Sequence, residues 1–139
     1  MRTASLIALM MVAVVAGCAA PVPPPPTPAT TAVRPRFSEQ GVASTYGHEL
    51  NQQRTASGEP FDPNGMTAAH RSLPFNTIVR VTNLDNGQSV RVRINDRGPF
   101  VAGRIIDLSA KAARSLGMRE DSTARVRLDV FEADQSASL

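Results

Sequence analysis

The sequence predicts a small, mainly β domain closed into a barrel, with one short helix at about 109–117. Three observations carry this. Runs with a two-residue apolar period recur at Thr77–Asn83, Ser89–Ile94 and Ala124–Val130, the period of a half-buried strand. Turn residues separate them, most clearly Asp85-Asn86-Gly87. One segment alone, Ser109 to Gly117, carries a cap, helix formers and a stop in the right order. About a hundred residues of short strands suit closure, which leaves no sheet edge exposed.

The chain begins with a different composition. Met1-Arg2 is a short positive segment, and Ala4 to Ala16 carries no charge. That run falls short of the ~20 apolar residues of a membrane span and reads as a secretory signal over 1–17. Val15-Ala16-Gly17-Cys18 resembles the bacterial lipobox, so Cys18 is the expected lipidation site. Acyl chains at ~0.8 kcal/mol per buried methylene would anchor it to a membrane. The resemblance implies a cell-envelope lipoprotein, and Ala19 favours the periplasmic face of the outer membrane. Cys18 is the single cysteine, so the fold stands without a disulfide. Pro21 to Pro35, PVPPPPTPATTAVRP, favours extended polyproline II and reads as a linker over 18–36.

The barrel domain is expected at 37–133. Val42 to Tyr46 reads as a strand ended by Gly47, and His48 to Arg54 as a polar loop in which His48 has no specific role. Thr55 to Phe61 holds turn residues around Glu59, and Met66–His70 has no clear period. Val79, Val81, Val90, Val92 and Ile94 are placed on the core side of a hairpin, with Arg91 and Arg93 outside. Ile105-Ile106 reads as a short strand. Ala112, Ala113 and Leu116 share one face of the helix, and the tail at 134–139 is expected to fray.

The chain has 15 basic and 12 acidic side chains, and all the basic ones but Lys111 are Arg. This mild excess suits an anionic partner without selecting one. No basic run or aromatic platform marks a nucleic-acid surface, and no spacing marks a metal site. Tyr46, Thr55, Glu59, His70, Asn95, Asp96, Arg97 and Asp107 fall at strand ends and in loops. Two carboxylates with a His and a Tyr suit acid–base work on a polar substrate. Asp96-Arg97-Gly98-Pro99 is also a good turn, with Asp bonding the backbone. Residue types alone do not bring Glu59 and Asp96 together.

Five segments occur in a telling order: GVASTYG at Gly41–Gly47, TASGEPF at Thr55–Phe61, MTAAHRSLPF at Met66–Phe75, VRVTNLDNGQSVRVRINDRGPF at Val79–Phe100 and GRIIDLSAKAARSLGM at Gly103–Met118. Together they resemble the rare lipoprotein A family, septal-ring-type lytic transglycosylases on a six-stranded double-psi β-barrel. The resemblance implies endolytic cleavage of the MurNAc–GlcNAc β-1,4 bond of peptidoglycan, leaving 1,6-anhydroMurNAc ends, with no cofactor. It implies Asp96, Glu59 and His70 as catalytic residues, His70 beside the two acids. Asp96 is the expected acid/base, with Glu59 stabilising positive charge or sharing a proton and His70 hydrogen-bonding a carboxylate or the sugar; the reverse assignment of the two acids stays open. Tyr46, Thr55, Asn95 and Arg97 are the expected substrate-binding residues, and glycan strands the partner. Tyr46 stacks on a sugar or packs in the core. Arg97 meets a substrate carboxylate or pairs with Asp96 or Asp107. Asp107 is structural, capping the helix or bracing a psi loop.

The chain departs from the pattern at Thr45, where the family commonly has Trp, and it contains no Trp. Flat aromatic faces are the usual sugar platforms, so the site lacks its expected one. No glycan-binding repeat follows the barrel, so septal targeting is not implied. Two other functions fit the same barrel: a non-catalytic, expansin-like peptidoglycan-binding lipoprotein, and an inverting glycan hydrolase.

Overall fold

The computed structural model describes residues 17, 19–21, 33–46, 50–119 and 121–136. The expectations for the signal segment, for Cys18 and for His48 lie outside the described residues, as does most of the linker. Contacts divide the chain into Met1–Ala32 and Val33–Leu139, and the second unit holds every strand named below. The elements are β1 (Phe37–Thr45), β2 (Thr67–His70), β3 (Ile78–Asn83), β4 (Ser89–Asp96), β5 (Arg104–Leu108), α1 (Ala110–Ser115), β6 (Ala124–Val130) and α2 (Glu132–Ser136).

The strands close into a barrel in the order β1-β5-β2-β4-β3-β6. β1 runs parallel to β5 and β2 parallel to β4; the other neighbours are antiparallel. Parallel neighbours need a crossover. Loop 46–66 leaves β1 for β2, and loop 97–103 leaves β4 for β5. Each loop thus enters the strand that pairs with the other loop's origin, which is the double-psi arrangement. The core holds Val79, Val81, Val92, Ile94, Ile106, Leu108, Leu116, Val126 and Leu128, with Ala43 and Ala68 where strands approach closely. Fully burying one such Leu or Val contributes roughly 1.5–3 kcal/mol.

The hairpin follows its pattern. Val79 pairs with Val92 and Val81 with Val90; Val79, Val81 and Val92 are buried and Val90 partly so. Asn83 ends β3 in the inward series. Its burial is tolerated because its amide donates to Leu116 O at 3.0 Å and its Oδ1 accepts Asp85 N–H at 2.9 Å. Ser109 caps α1, accepting from Ala112 N. At the other end Met118 N–H reaches Ala113 O and Gly117 N–H reaches Arg114 O, a Schellman closure. Gly117 has φ +72°, a conformation that favours glycine.

Two expectations are corrected. β1 starts at Phe37, five residues before the expected Val42, because Phe37 to Ala43 pairs with Val130 to Ala124. And among the described residues the barrel carries two short helices, not one: α2 occupies Glu132–Ser136 and overlaps the stretch expected to fray. Its Asp134 is buried against Arg91 at 3.0 Å and Arg80 at 3.6 Å. Its Gln135 amide bonds both N–H and O of Ile78, the first residue of β3.

Candidate active site

The site is assembled where β4 ends. Along the parallel β2–β4 pair, Ala68 lies opposite Ile94 and Ala69 opposite Asp96, so Asn95 is an extra residue. A bulge of this kind bends a strand and re-aims the next side chain. Asp96 then meets three donors. Tyr46 Oη donates to Oδ2 at 2.6 Å, and the N–H groups of Ala56 and Arg97 donate to Oδ1 at 2.8 Å each. Oδ1 is saturated, whereas Oδ2 keeps one acceptor position beyond Tyr46.

Tyr46 is the residue after β1, and its ring packs on buried Phe61 with centroids 5.0 Å apart. Burial, and after it the hydrogen bond to Asp96, pushes the phenol above the ordinary tyrosine value. It is therefore a permanent donor near neutrality. Tyr46, Leu50, Gln53, Arg54, Thr55, Phe61 and Asp96 line an open cleft of about 120 Å³. Larger hollows of about 300 and 260 Å³ lie along β1 and β6. The acid in the first of these, Asp129, is held by Ser38 and Arg127, so the smaller cleft is the one in which an acid faces both open space and a fixed phenol.

Glu59 reaches the same strand end from the turn at 55–59. Thr55 closes that turn, its N–H and Oγ1 both donating to Glu59 O. One side of the turn gives Ala56 N–H to Asp96; Ser57 N–H bonds Asn95 O, and Glu59 forms a two-pronged pair with Arg93 at 2.7 and 2.9 Å. Buried Asn95 adds a long amide contact to Glu59 at 3.4 Å. The Arg93 guanidinium holds the Glu59 carboxyl below the usual carboxylate range, partly opposed by burial, and Arg93 is raised in turn. Glu59 and Asp96 thus share one turn and one strand end, each with its own donors; the expected sharing of a proton gives way to a Glu59–Arg93 ion pair.

His70, which follows Ala69 opposite Asp96, bonds a carboxylate as expected, but one outside the expected pair. Its Nε2 lies 3.1 Å from Glu39 Oε2, and its Nδ1 accepts the N–H groups of Ser72 and Leu73. Two incoming donors leave no room for a proton on Nδ1, so Nε2 carries it and donates to Glu39. The ring meets the edge of Phe37. The carboxylate it serves is Glu39, on β1, and none of its bonds goes to Asp96 or Glu59.

Two arginines clasp the loops beside the site reciprocally. Arg97 donates to His70 O and Leu73 O and stacks on Phe75 at 4.0 Å. Arg71 donates to Pro99 O, Val101 O and Arg104 O. Arg97 therefore makes neither expected ion pair: backbone carbonyls hold it, and Asp96 receives only its N–H. Asp107 braces β5 through Arg104 and Ser44; the helix cap is Ser109, so of its two expected roles the brace is the one seen. Sequence reasoning missed Arg93, Arg71 and Glu39. The i, i+2 relation of Arg93 to Asn95 was the one available signal.

Residues 38–128 match the family model described as lytic transglycolase. Among curated relatives, the chain is 59% identical over 92 residues to the probable endolytic peptidoglycan transglycosylase RlpA of Synechocystis, covering 66% of this chain and 29% of that one. It is 58% identical over 95 residues to endolytic peptidoglycan transglycosylase RlpA of Pseudomonas aeruginosa, covering 68% and 28%. The match thus spans under a third of either relative. Among solved structures, an expansin of Clavibacter michiganensis superposes with TM-score 0.56 at 23% identity, over 69% of this chain and 51% of that one. The Streptomyces papain inhibitor does so with TM-score 0.52 at 21% identity, over 70% and 98%. These structures share the fold. On the match across the barrel, the chain belongs to the lytic transglycolase family, with the RlpA proteins among its relatives.

Proposed function

We propose that this chain is an endolytic peptidoglycan lytic transglycosylase with Asp96 as its acid/base. The observation that carries the reading is the fixed Asp96 carboxyl, with one Oδ2 position open beside a cleft, in a chain of this family. Protonated Asp96 gives its Oδ2 proton to the glycosidic oxygen as the MurNAc C1–O bond breaks. The carboxylate so formed takes the proton of the MurNAc C6 hydroxyl, and O6 closes on C1. One bond breaks and one forms, the acid is regenerated, and water is not consumed. Tyr46 and the two N–H groups hold Asp96 in one rotamer through both steps.

Glu59 is held as a carboxylate by its two-pronged pair with Arg93, so it serves as fixed negative charge near developing positive charge. Pairing with Arg93 tempers that charge, which makes Glu59 the lesser contributor. His70 acts as a positioning residue: it orders the 70–73 backbone whose carbonyls hold Arg97, and so the start of the loop that follows Asp96. Thr55 and Asn95 shape the turn, and Tyr46 faces the substrate. Purified sacculi digested with the protein should release anhydro-ended muropeptides, and Asp96→Asn should release none; full release by that variant contradicts the reading.

We further propose anchoring through acylated Cys18, on the strength of the Val15–Cys18 motif. Among the described residues no helix is long and apolar enough to cross a membrane. Palmitate labelling that is lost in Cys18→Ala supports the anchor, and labelling that persists contradicts it.

A further inference from the structure

The chain has six aromatic side chains, one Tyr and five Phe, and no Trp. Five are engaged. Tyr46 gives its hydroxyl to Asp96 and its ring to Phe61, which is buried. Phe37 meets His70, Phe75 lies under Arg97, and Phe131 lies under Arg80. Phe100 remains. It is 81% exposed, the most exposed large apolar side chain among the described residues, with Val101 beside it at 51%.

This exposure belongs to a pinned loop. Arg71 bonds the carbonyls on either side of Phe100, those of Pro99 and Val101. Gly98 has φ +119°, and a Cβ there would lie 3.6 Å from the Phe100 ring, so the ring lies on the Gly98 side of its own loop. Four residues separate Phe100 from Asp96, which keeps their Cα atoms within ~14 Å. A solvent-facing ring thus rides on a pinned loop that begins one residue after Asp96, while the aromatics of the cleft itself are occupied. Holding it there leaves apolar surface in water, a cost that a ligand with an apolar face offsets.

We propose that Phe100 is the sugar-stacking residue of this site, its ring packing on the C–H face of a pyranose in a glycan strand lying across the Asp96 cleft. The proposal rests on the glycan-cleaving reading above and supplies the platform that the missing Trp leaves vacant. Rings present a large rigid face at little conformational cost, so the residue sets affinity and strand position rather than the chemical step.

The test uses the full chain carrying Asp96→Asn, so that binding is read without turnover, and sacculi stripped of stem peptides. Phe100→Ala should weaken cosedimentation about tenfold, the scale of one lost stacking contact, with an unchanged Tm. Phe100→Trp should bind at least as well as the parent, and Phe100→Leu should not restore binding. In the active background Phe100→Ala should raise KM and leave kcat in place. Parent-like binding by Phe100→Ala, or rescue by Leu, overturns the proposal. So does a loss seen on phosphatidylethanolamine–phosphatidylglycerol vesicles and not on sacculi. If the active chain releases no anhydro ends while binding still depends on Phe100, the cleavage reading fails and the platform stands.

Discussion

Removing one oxygen from Tyr46 tests how much of the site depends on a fixed carboxyl. Tyr46→Phe deletes the hydroxyl that donates to Asp96 Oδ2 at 2.6 Å and leaves the ring against Phe61 at 5.0 Å. A hydrogen bond to a charged group is worth ~1.5–3 kcal/mol when broken with nothing in its place. Oδ2 opens on a cleft, so water takes the vacated position, and the lower end applies to the ground state. At 1.36 kcal/mol per tenfold, about 1.5 kcal/mol corresponds to a fall in kcat of about tenfold. Loss of the reacting rotamer extends this towards a hundredfold. Folding should lose up to the same ~1.5 kcal/mol, a Tm shift of up to about ten degrees for a domain of this size. The assay is the initial rate of anhydro-muropeptide release at several sacculus concentrations, beside a thermal melt. Wild-type kcat in Tyr46→Phe, at any KM, would refute the argument that this phenol holds the acid.

Other outcomes follow from the same contacts. Glu59 is lowered in the fold from its ordinary value of 4.5, so its pairing stabilises the protein above that pH and the contribution is lost as pH falls through the folded value. Glu59→Gln should flatten the acid side of the stability curve in urea melts between pH 3 and 7, by only ~0–1 kcal/mol because the carboxyl is 42% exposed. Arg71→Met strips three carbonyls of their donor; amide exchange in 97–104 should accelerate and KM should rise, since Phe100 rides on that loop. Asp134→Ala leaves Arg80 and Arg91 without their shared partner. As these are partly exposed, the cost should be ~1–2 kcal/mol rather than the 3–5 of a fully buried pair, with proteolysis after Phe131 and an unchanged kcat.

The hairpin and α1 were legible because each rests on local chemistry: alternating Val residues, an Asp-Asn-Gly turn, a Ser cap and a Gly stop. The first half of β1 was not. Its half-buried series, Phe37, Glu39 and Gly41, contains an acid and a glycine, so the period is present without the apolar residues that reveal it. α2 was illegible for a related reason. Glu132–Ser136 has no apolar face and is held by Asp134 and Gln135 through long-range bonds. In the site, the sequence placed Asp96 at a strand end but not the Asn95 bulge that aims it, since a bulge is a property of the pairing. His70 drew attention by its type, yet its partner Glu39 lies 31 positions away. Arg97 invited an ionic partner, and its true partners are backbone carbonyls that no residue type announces.

If O6 of MurNAc, and not water, closes on the anomeric carbon, digestion of sacculi in water enriched in heavy oxygen should release anhydro-ended muropeptides whose masses show no heavy oxygen, and Asp96→Asn should release none. Reducing-end products that carry the label would contradict it and make this site a hydrolase.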